Sequence, residues 1–326
     1  MSQPLTSKLG SATPILAATV LLFLVSLVLQ PESLSSSSVL GMLPFAAVAA
    51  IVAVGQTLVI QQGGIDLSVP GFLSLTVVLV THYPDGDSAR LAPWILVAFV
   101  VSAVAGLASG LLVSRVGVTS IVATLGMNAL LFGAVLAVSG GTPTSTTAAL
   151  RDFATLRPLG VPMTVVLTVV VTAVVGVIVK YTAAGRRFEA IGSSNRAARA
   201  LGLPVNRHVL GAYVAAAVLY CAAGVLLAGI VSAPSAFQGN SYLLPSVAAV
   251  VLGGTSLLGG RGNVVASAVA ALFLSQLSQV LLTSGVNSAV RSLVEAFALA
   301  VGVAVYSVDW GRVVAFRHSM MRRAHP

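Results

Sequence analysis

The chain has 326 residues, of which 57% are hydrophobic and only 8% charged, with a mean hydropathy of +1.02. A soluble domain carries roughly 25% charged residues, and no soluble fold of this length hides so much apolar surface, so the class is a polytopic membrane protein. The net charge of +9 would point to nucleic acid in a soluble chain; here the basic residues gather between apolar runs, where they orient a chain in a bilayer and argue against a nucleic-acid partner.

A helix needs about 20 apolar residues to cross hydrocarbon. Spans on that rule fall near residues 14–30, 39–62, 69–82, 93–114, 119–138, 161–180, 209–230, 243–258, 263–283 and 288–307. The expected fold is therefore all-α, a single transmembrane domain over residues 1–326 with about ten transmembrane helices. The first run has no small-residue cleavage site before Gln30-Pro31-Glu32, which favours a retained span over a signal peptide. Ten spans put both termini on one side. Arg90, Arg151, Arg157 and Arg291 then lie on the opposite side and the other thirteen of the 17 Lys and Arg residues on the terminal side. That asymmetry predicts both termini in the cytoplasm, the second of them a tail at 308–326, in a plasma (inner) membrane.

The second and third spans are interrupted by Gly63-Gly64-Ile65-Asp66-Leu67-Ser68, followed by Pro70-Gly71. The third run is about 21 Å long as a helix, short against a core of about 30 Å. Backbone broken at membrane depth must be buried in protein or line a cavity. Asp66 with Ser68 reads as a cap of the third helix; a hinge or a polar lining near the cytoplasmic mouth, with Gly63 and Gly64, is the functional alternative, and a proton relay the sharpest one. The other intramembrane carboxylate is Glu295, four residues after Arg291, where an ion pair satisfies it. The outer loop 139–160 carries Arg151, Asp152 and Arg157, and another carries Asp85 and Asp87; these are candidates for an external partner.

Among the intramembrane polar residues, Gln56, Asn128, Gln276 and Gln279 are candidates to line a path for a polyhydroxylated solute, or to act as interhelical glue. Tyr213 and Tyr220 read as core or interface residues. A basic island, Gly185 to Arg207, holds five of the 17 Lys and Arg residues. Within it Ser194 or Asn195 can cap a two-turn helix over Arg196 to Leu201 that Gly202 and Pro204 end. The run Leu252 to Asn263 holds Gly253, Gly254, Gly259, Gly260 and Gly262, each costing about 1 kcal/mol in a helix interior, so tight turns or close helix approach are expected there. Its position does not match the first interruption under an inverted repeat. Cys221 is alone, so no intrachain disulfide forms. Neither Lys8 nor Lys180 sits in a G-x-x-x-x-G-K-[ST] loop, and the histidines have no metal spacing, so no nucleotide site, cofactor, metal centre or catalytic constellation is expected in this chain.

Several of these stretches together carry a resemblance. Gly55 to Val69, Val122 to Met127 with Ser139 to Pro143, Ala197 to Gly202, and above all Val247 to Gly262 resemble the permease subunits of bacterial ATP-binding-cassette sugar importers of the ribose/galactoside/xylose type, over roughly residues 40 to 307. The resemblance implies a pair of such permeases, two ATPase domains that carry ATP and magnesium, and a periplasmic or lipid-anchored binding protein that delivers sugar. It implies that segment 181–208 holds a short cytoplasmic coupling helix, with Asn195, Arg196, Arg199, Leu201 and Gly202 meeting the ATPase. Two positions depart from the family pattern. Pro70-Gly71 stands where Gly-Ser is usual, and Asn195-Arg196 where acidic residues are common. Two other functions stay open on the residues alone: import of branched-chain amino acids by the same architecture, and ion-coupled transport with Asp66 or Glu295 as the proton site.

Overall fold

The computed structural model describes residues 12–142 and 145–287 and, beyond them, 289–294, 296, 297 and 300. Among the described residues there is no strand. The α-helices are α1 Thr13–Leu29, α2 Ser36–Gln61, α3 Val69–His82, α4 Leu91–Leu111, α5 Ser120–Ser139, α6 Ala148–Thr155, α7 Met163–Tyr181, α8 Ala183–Ser193, α9 Asn195–Ala200, α10 Val205–Ile230, α11 Leu243–Leu252 and α12 Val264–Thr283. A π-helical turn, Leu112–Val116, extends α4.

Six helical stretches are long and apolar enough to cross a membrane: α2, α4 with its flanking turns, α5, α7, α10 and α12. The apolar α1 and α3 are shorter, at 17 and 14 residues. The count of ten expected from hydropathy is thus not reached among the described residues. The run at 243–258 is not one membrane-length helix: its helix, α11, stops at Leu252 after 10 residues, and Gly254 turns the chain at a φ of +78° that residues with a Cβ rarely adopt. The run at 288–307, with Glu295, lies largely outside the described residues.

The centre of the bundle is α2, α3 and α10, with α4 against α10 and α12 against α2. Helix α3 is buried from Val69 to Thr81. A helix of about 21 Å is too short for lipid but is stable inside protein, where no end meets hydrocarbon. Close approach carries the α4–α10 contact: a Cβ on Gly106 would lie 2.6 Å from that of Ala217, and Gly110, one turn on, sits against Leu210. This is the small-xxx-small pattern that lets apolar helices gain dispersion contacts without a hydrophobic driving force. The outer helices bury only one stripe each, as in Ala123, Thr124, Met127, Leu131 and Val135 of α5, and leave Leu125, Leu130, Leu136, Val169 and Val174 exposed, as a lipid-facing surface requires.

One end of the bundle collects the ends of α2, α4 and α7, the starts of α5, α10 and α12, and α8 and α9; it carries Arg115, Lys180, Arg186, Arg187, Arg196, Arg199, Arg207 and Arg261 and is called here the basic end. The opposite end carries α6, Arg90, Arg151 and Arg157.

Candidate functional site

Helix α2 ends where Gly63 takes a φ of +78° and the Gly63 and Gly64 amides donate back to Ile60 and Val59 carbonyls. The extended stretch that follows has backbone groups no helix satisfies, and α5 satisfies them with polar residues four apart. Ser120 Oγ accepts from the Ile65 amide (3.2 Å), Thr124 Oγ1 from the Leu67 amide (3.0 Å) and Asn128 Oδ1 from the Gly71 amide (2.9 Å). Spacing of four puts all three on one helix face. The buried Asp66 accepts from the Ser68 amide (2.8 Å) and from the Ser68 hydroxyl. Ser68 is the N-cap residue of α3 but makes no side-chain cap bond, since its hydroxyl is turned to Asp66. The expected cap is therefore divided: Asp66 fixes the turn, and Asn128, from another helix, receives the first-turn amide that follows Pro70.

The glycine-rich stretch is a turn that leans on two neighbours. Gly254, Gly259 and Gly260 have φ values of +78°, +91° and +78°. The Gly260 amide donates to the Gln61 carbonyl at 2.8 Å. A Cβ on Gly259 would lie 2.6 Å from the Gly192 carbonyl oxygen, and one on Gly260 2.7 Å from the Ser193 Cα. Gly253 lies equally close to the Ser267 backbone of α12.

The third component is the basic island. Ser194 caps α9, its hydroxyl accepting the Ala197 amide at 3.2 Å, and Gly202 ends it at a φ of +73°. Asn195 begins α9 and is not its cap. The preceding helix, α8, was not legible in the sequence. Thr182 caps it through the Gly185 amide (3.1 Å), and its C-terminal Gly192 is pressed against the Gln61 carbonyl. Gln62 Nε2 donates to the Phe188 carbonyl of α8 at 2.9 Å. The break after α2, the glycine turn and α8–α9 thus meet at one backbone-to-backbone junction. Arg196, Arg199 and Leu201 are exposed beside it, as is Leu258 at the tip of the glycine turn.

The four intramembrane amides do not converge on one site: Gln276 and Gln279 are one turn apart on α12, and Gln56 and Asn128 lie on α2 and α5. Gln56 accepts from the Tyr220 hydroxyl at 2.8 Å in the core, Asn128 holds Gly71, and Gln276 of α12 donates to Ser26 and Ser33 at the opposite end (3.3 and 3.4 Å). Gln279 is half-buried on α12. Tyr213 and Tyr220 are core residues, both almost fully buried. At the opposite end, Arg151 and Asp152 sit on the short amphipathic α6, 3.8 Å apart and exposed. Leu150 and Ala154 of that helix pack on Gly229 of α10. Arg157 is exposed just beyond.

Sequence reasoning also missed the stretch between α10 and α11. It starts at the opposite end, where Ser232 accepts from the Thr146 amide (3.3 Å). It then turns inward, so that the Gly239 amide reaches Ser74 Oγ of α3 at 3.1 Å. Its signal was weak: Pro234, Ser235, Gly239, Asn240 and Ser241 are ordinary loop-forming residues.

A short buried helix, two irregular stretches that reach inward and a helical foot fastened beneath them are features suited to a membrane transport subunit. The comparisons with known proteins agree. Residues 38–306 match the family described as "Branched-chain amino acid transport system / permease component", and the chain belongs to it. It is 33% identical to the ribose import permease protein of Escherichia coli over 89% of this chain and 92% of that one. It is 33% identical to the ribose import permease protein of Bacillus subtilis over 91% of each chain. It is 32% identical to an autoinducer 2 import system permease protein of Salmonella typhi over 84% of this chain and 85% of that one. No solved structure matches it.

Proposed function

We propose that this permease is the membrane-spanning subunit of an ATP-binding-cassette importer for a sugar of the pentose or hexose class. The solute arrives on an external binding protein that meets the Arg151, Asp152 and Arg157 end. ATP and magnesium are used on a separate ATPase that meets Asn195, Arg196, Arg199, Leu201 and Gly202. The functional unit pairs this chain with a second copy or a paralogue, each with about ten spans and both termini in the cytoplasm. The observation that carries the reading is the junction at the basic end. The exposed α9 follows directly on α8, which is fastened to the ends of α2 and the glycine turn, so a partner pushing on α9 moves the broken span. Relatives named for ribose and autoinducer 2 import favour a sugar-like solute. The family's description alone favours branched-chain amino acids.

Reconstitution tests it. The chain is purified with its partner ATPase and binding protein, sought among neighbouring genes, and placed in liposomes, and uptake of labelled ribose and labelled leucine is measured. Ribose uptake that requires ATP inside the liposome and all three proteins is expected. Ribose uptake by this chain alone would overturn the reading, and leucine uptake without ribose uptake would replace the solute.

A further inference from the structure

The stretch Val231–Tyr242 descends halfway through the bundle, and two independent rulers give its depth. Helix α5 rises about 12 Å from Ser120, at the basic end, to Asn128, so Gly71 lies that deep, and Ser74 is about 5 Å further along α3. Gly239 is bonded to Ser74. Along a second element from the same end, α11 rises about 15 Å between the glycine turn and Leu243. Both estimates fall at the middle of a hydrocarbon core of about 30 Å.

At that depth the stretch is a turn of 3₁₀ helix, Gln238–Tyr242. Gly239 is buried so closely against the Pro70 carbonyl that no side chain fits there. That contact turns its neighbours outward. Asn240 and Ser241 are exposed and Gln238 is partly so. Gln238 Oε1 accepts from the Ser235 amide and hydroxyl (3.2 Å each) and Ser241 donates weakly to the Gln238 carbonyl (3.4 Å). Among the described residues nothing pairs with the Asn240 side-chain amide. Exposed polar groups on irregular backbone at the bilayer midplane are not stable against lipid; such backbone persists where it lines a watered cavity, and transporters place solute sites at broken helices near the midplane.

We infer that Gln238, Asn240 and Ser241 line the translocation path and hydrogen-bond the solute as it passes, and that the solute they fit is uncharged and polyhydroxylated. Amide and hydroxyl groups donate and accept in the manner of sugar hydroxyls. Residues 231–252 contain no Asp, Glu, Lys or Arg, so a zwitterionic or phosphorylated solute finds no counter-charge there. The inference rests on the importer reading above.

Two measurements test it on the reconstituted complex. Native Cys221 is fully buried and gives a quiet background. Asn240→Cys and Ser241→Cys are expected to react with a charged, water-soluble methanethiosulfonate reagent. Leu130→Cys, about 15 Å along α5 and 70% exposed towards lipid, is expected not to. Reactivity of Asn240→Cys as low as that of Leu130→Cys overturns the inference. So does an oxidant-induced disulfide between two copies without reagent access, which makes the stretch a subunit interface. This readout needs no knowledge of the solute, so it stands even if wild-type chain carries no ribose and the sugar reading fails. Where ribose is carried, Asn240→Leu should lower uptake about fivefold or more with the ATPase still bound and hydrolysing, as losing an ordinary hydrogen bond implies, and Asn240→Gln should restore most of it. Uptake by Asn240→Leu equal to wild type overturns the assignment.

Discussion

Asn128 illustrates what a polar residue inside a span is for. Pro70 brings no amide to the first turn of α3, so the Gly71 amide is the next donor, and it points at α5, where Asn128 Oδ1 receives it at 2.9 Å. Replacing Asn128 by Leu leaves that amide without an acceptor in a dry environment, which costs about 1–3 kcal/mol. Thermal unfolding of detergent-purified Asn128→Leu should therefore begin at clearly lower temperature than wild type. Gln279→Leu is the control: Gln279 is half-buried and no described side-chain bond depends on it, so its change should stay within about 0.5 kcal/mol. Equal melting of the two variants would show that the α5 stripe does not hold the break.

Helix α9 is short, and its worth lies in where it is held. Ala198 is buried beneath it, and its amide donates to the Ser194 carbonyl at 2.9 Å. Ala198→Pro removes that bond and costs about 3 kcal/mol in a helix interior, and it lies outside every span. The variant should still insert, melting below wild type, while losing uptake and stimulation of the ATPase, as measured side by side in the liposome assay. Normal uptake would remove α9 from the coupling path.

The sequence made α9 visible because Ser194, Gly202 and Pro204 are local punctuation, and made α2, α5 and α10 visible because each is an unbroken apolar run. Helix α8 stayed hidden, since its cap is Thr182 at the end of a span and its packing partner, Gln61, lies far away in the chain. The inward course of Val231–Tyr242 was equally illegible, because only the contact of Gly239 with Pro70 and Ser74 distinguishes it from a surface loop. Asn128 was visible as an intramembrane amide, but its partner depends on how α3 meets α5, which no local pattern encodes.

On the scale of the whole molecule, arginine is unevenly distributed between the two ends. The basic end gathers Arg115, Arg186, Arg187, Arg196, Arg199, Arg207 and Arg261, against Arg90, Arg151 and Arg157 at the other. Positive residues near span ends favour the cytoplasmic side, so the orientation proposed above puts the arginine-rich α8–α9 foot inside and α6 outside. Two exposed leucines report this without disturbing either partner's charge: Leu159 at the α6 end and Leu201 after α9, 104% and 78% exposed. In intact cells a membrane-impermeant thiol reagent should label Leu159→Cys and leave Leu201→Cys untouched until the membrane is opened. Because Cys221 is sealed in the core, each signal comes from the introduced thiol. The reverse pattern would invert the molecule and put the α8–α9 foot out of reach of any cytoplasmic ATPase. Labelling of both before permeabilisation would place the two ends on the same side, which an odd number of crossings between α6 and α9 forbids; α7 alone supplies that crossing.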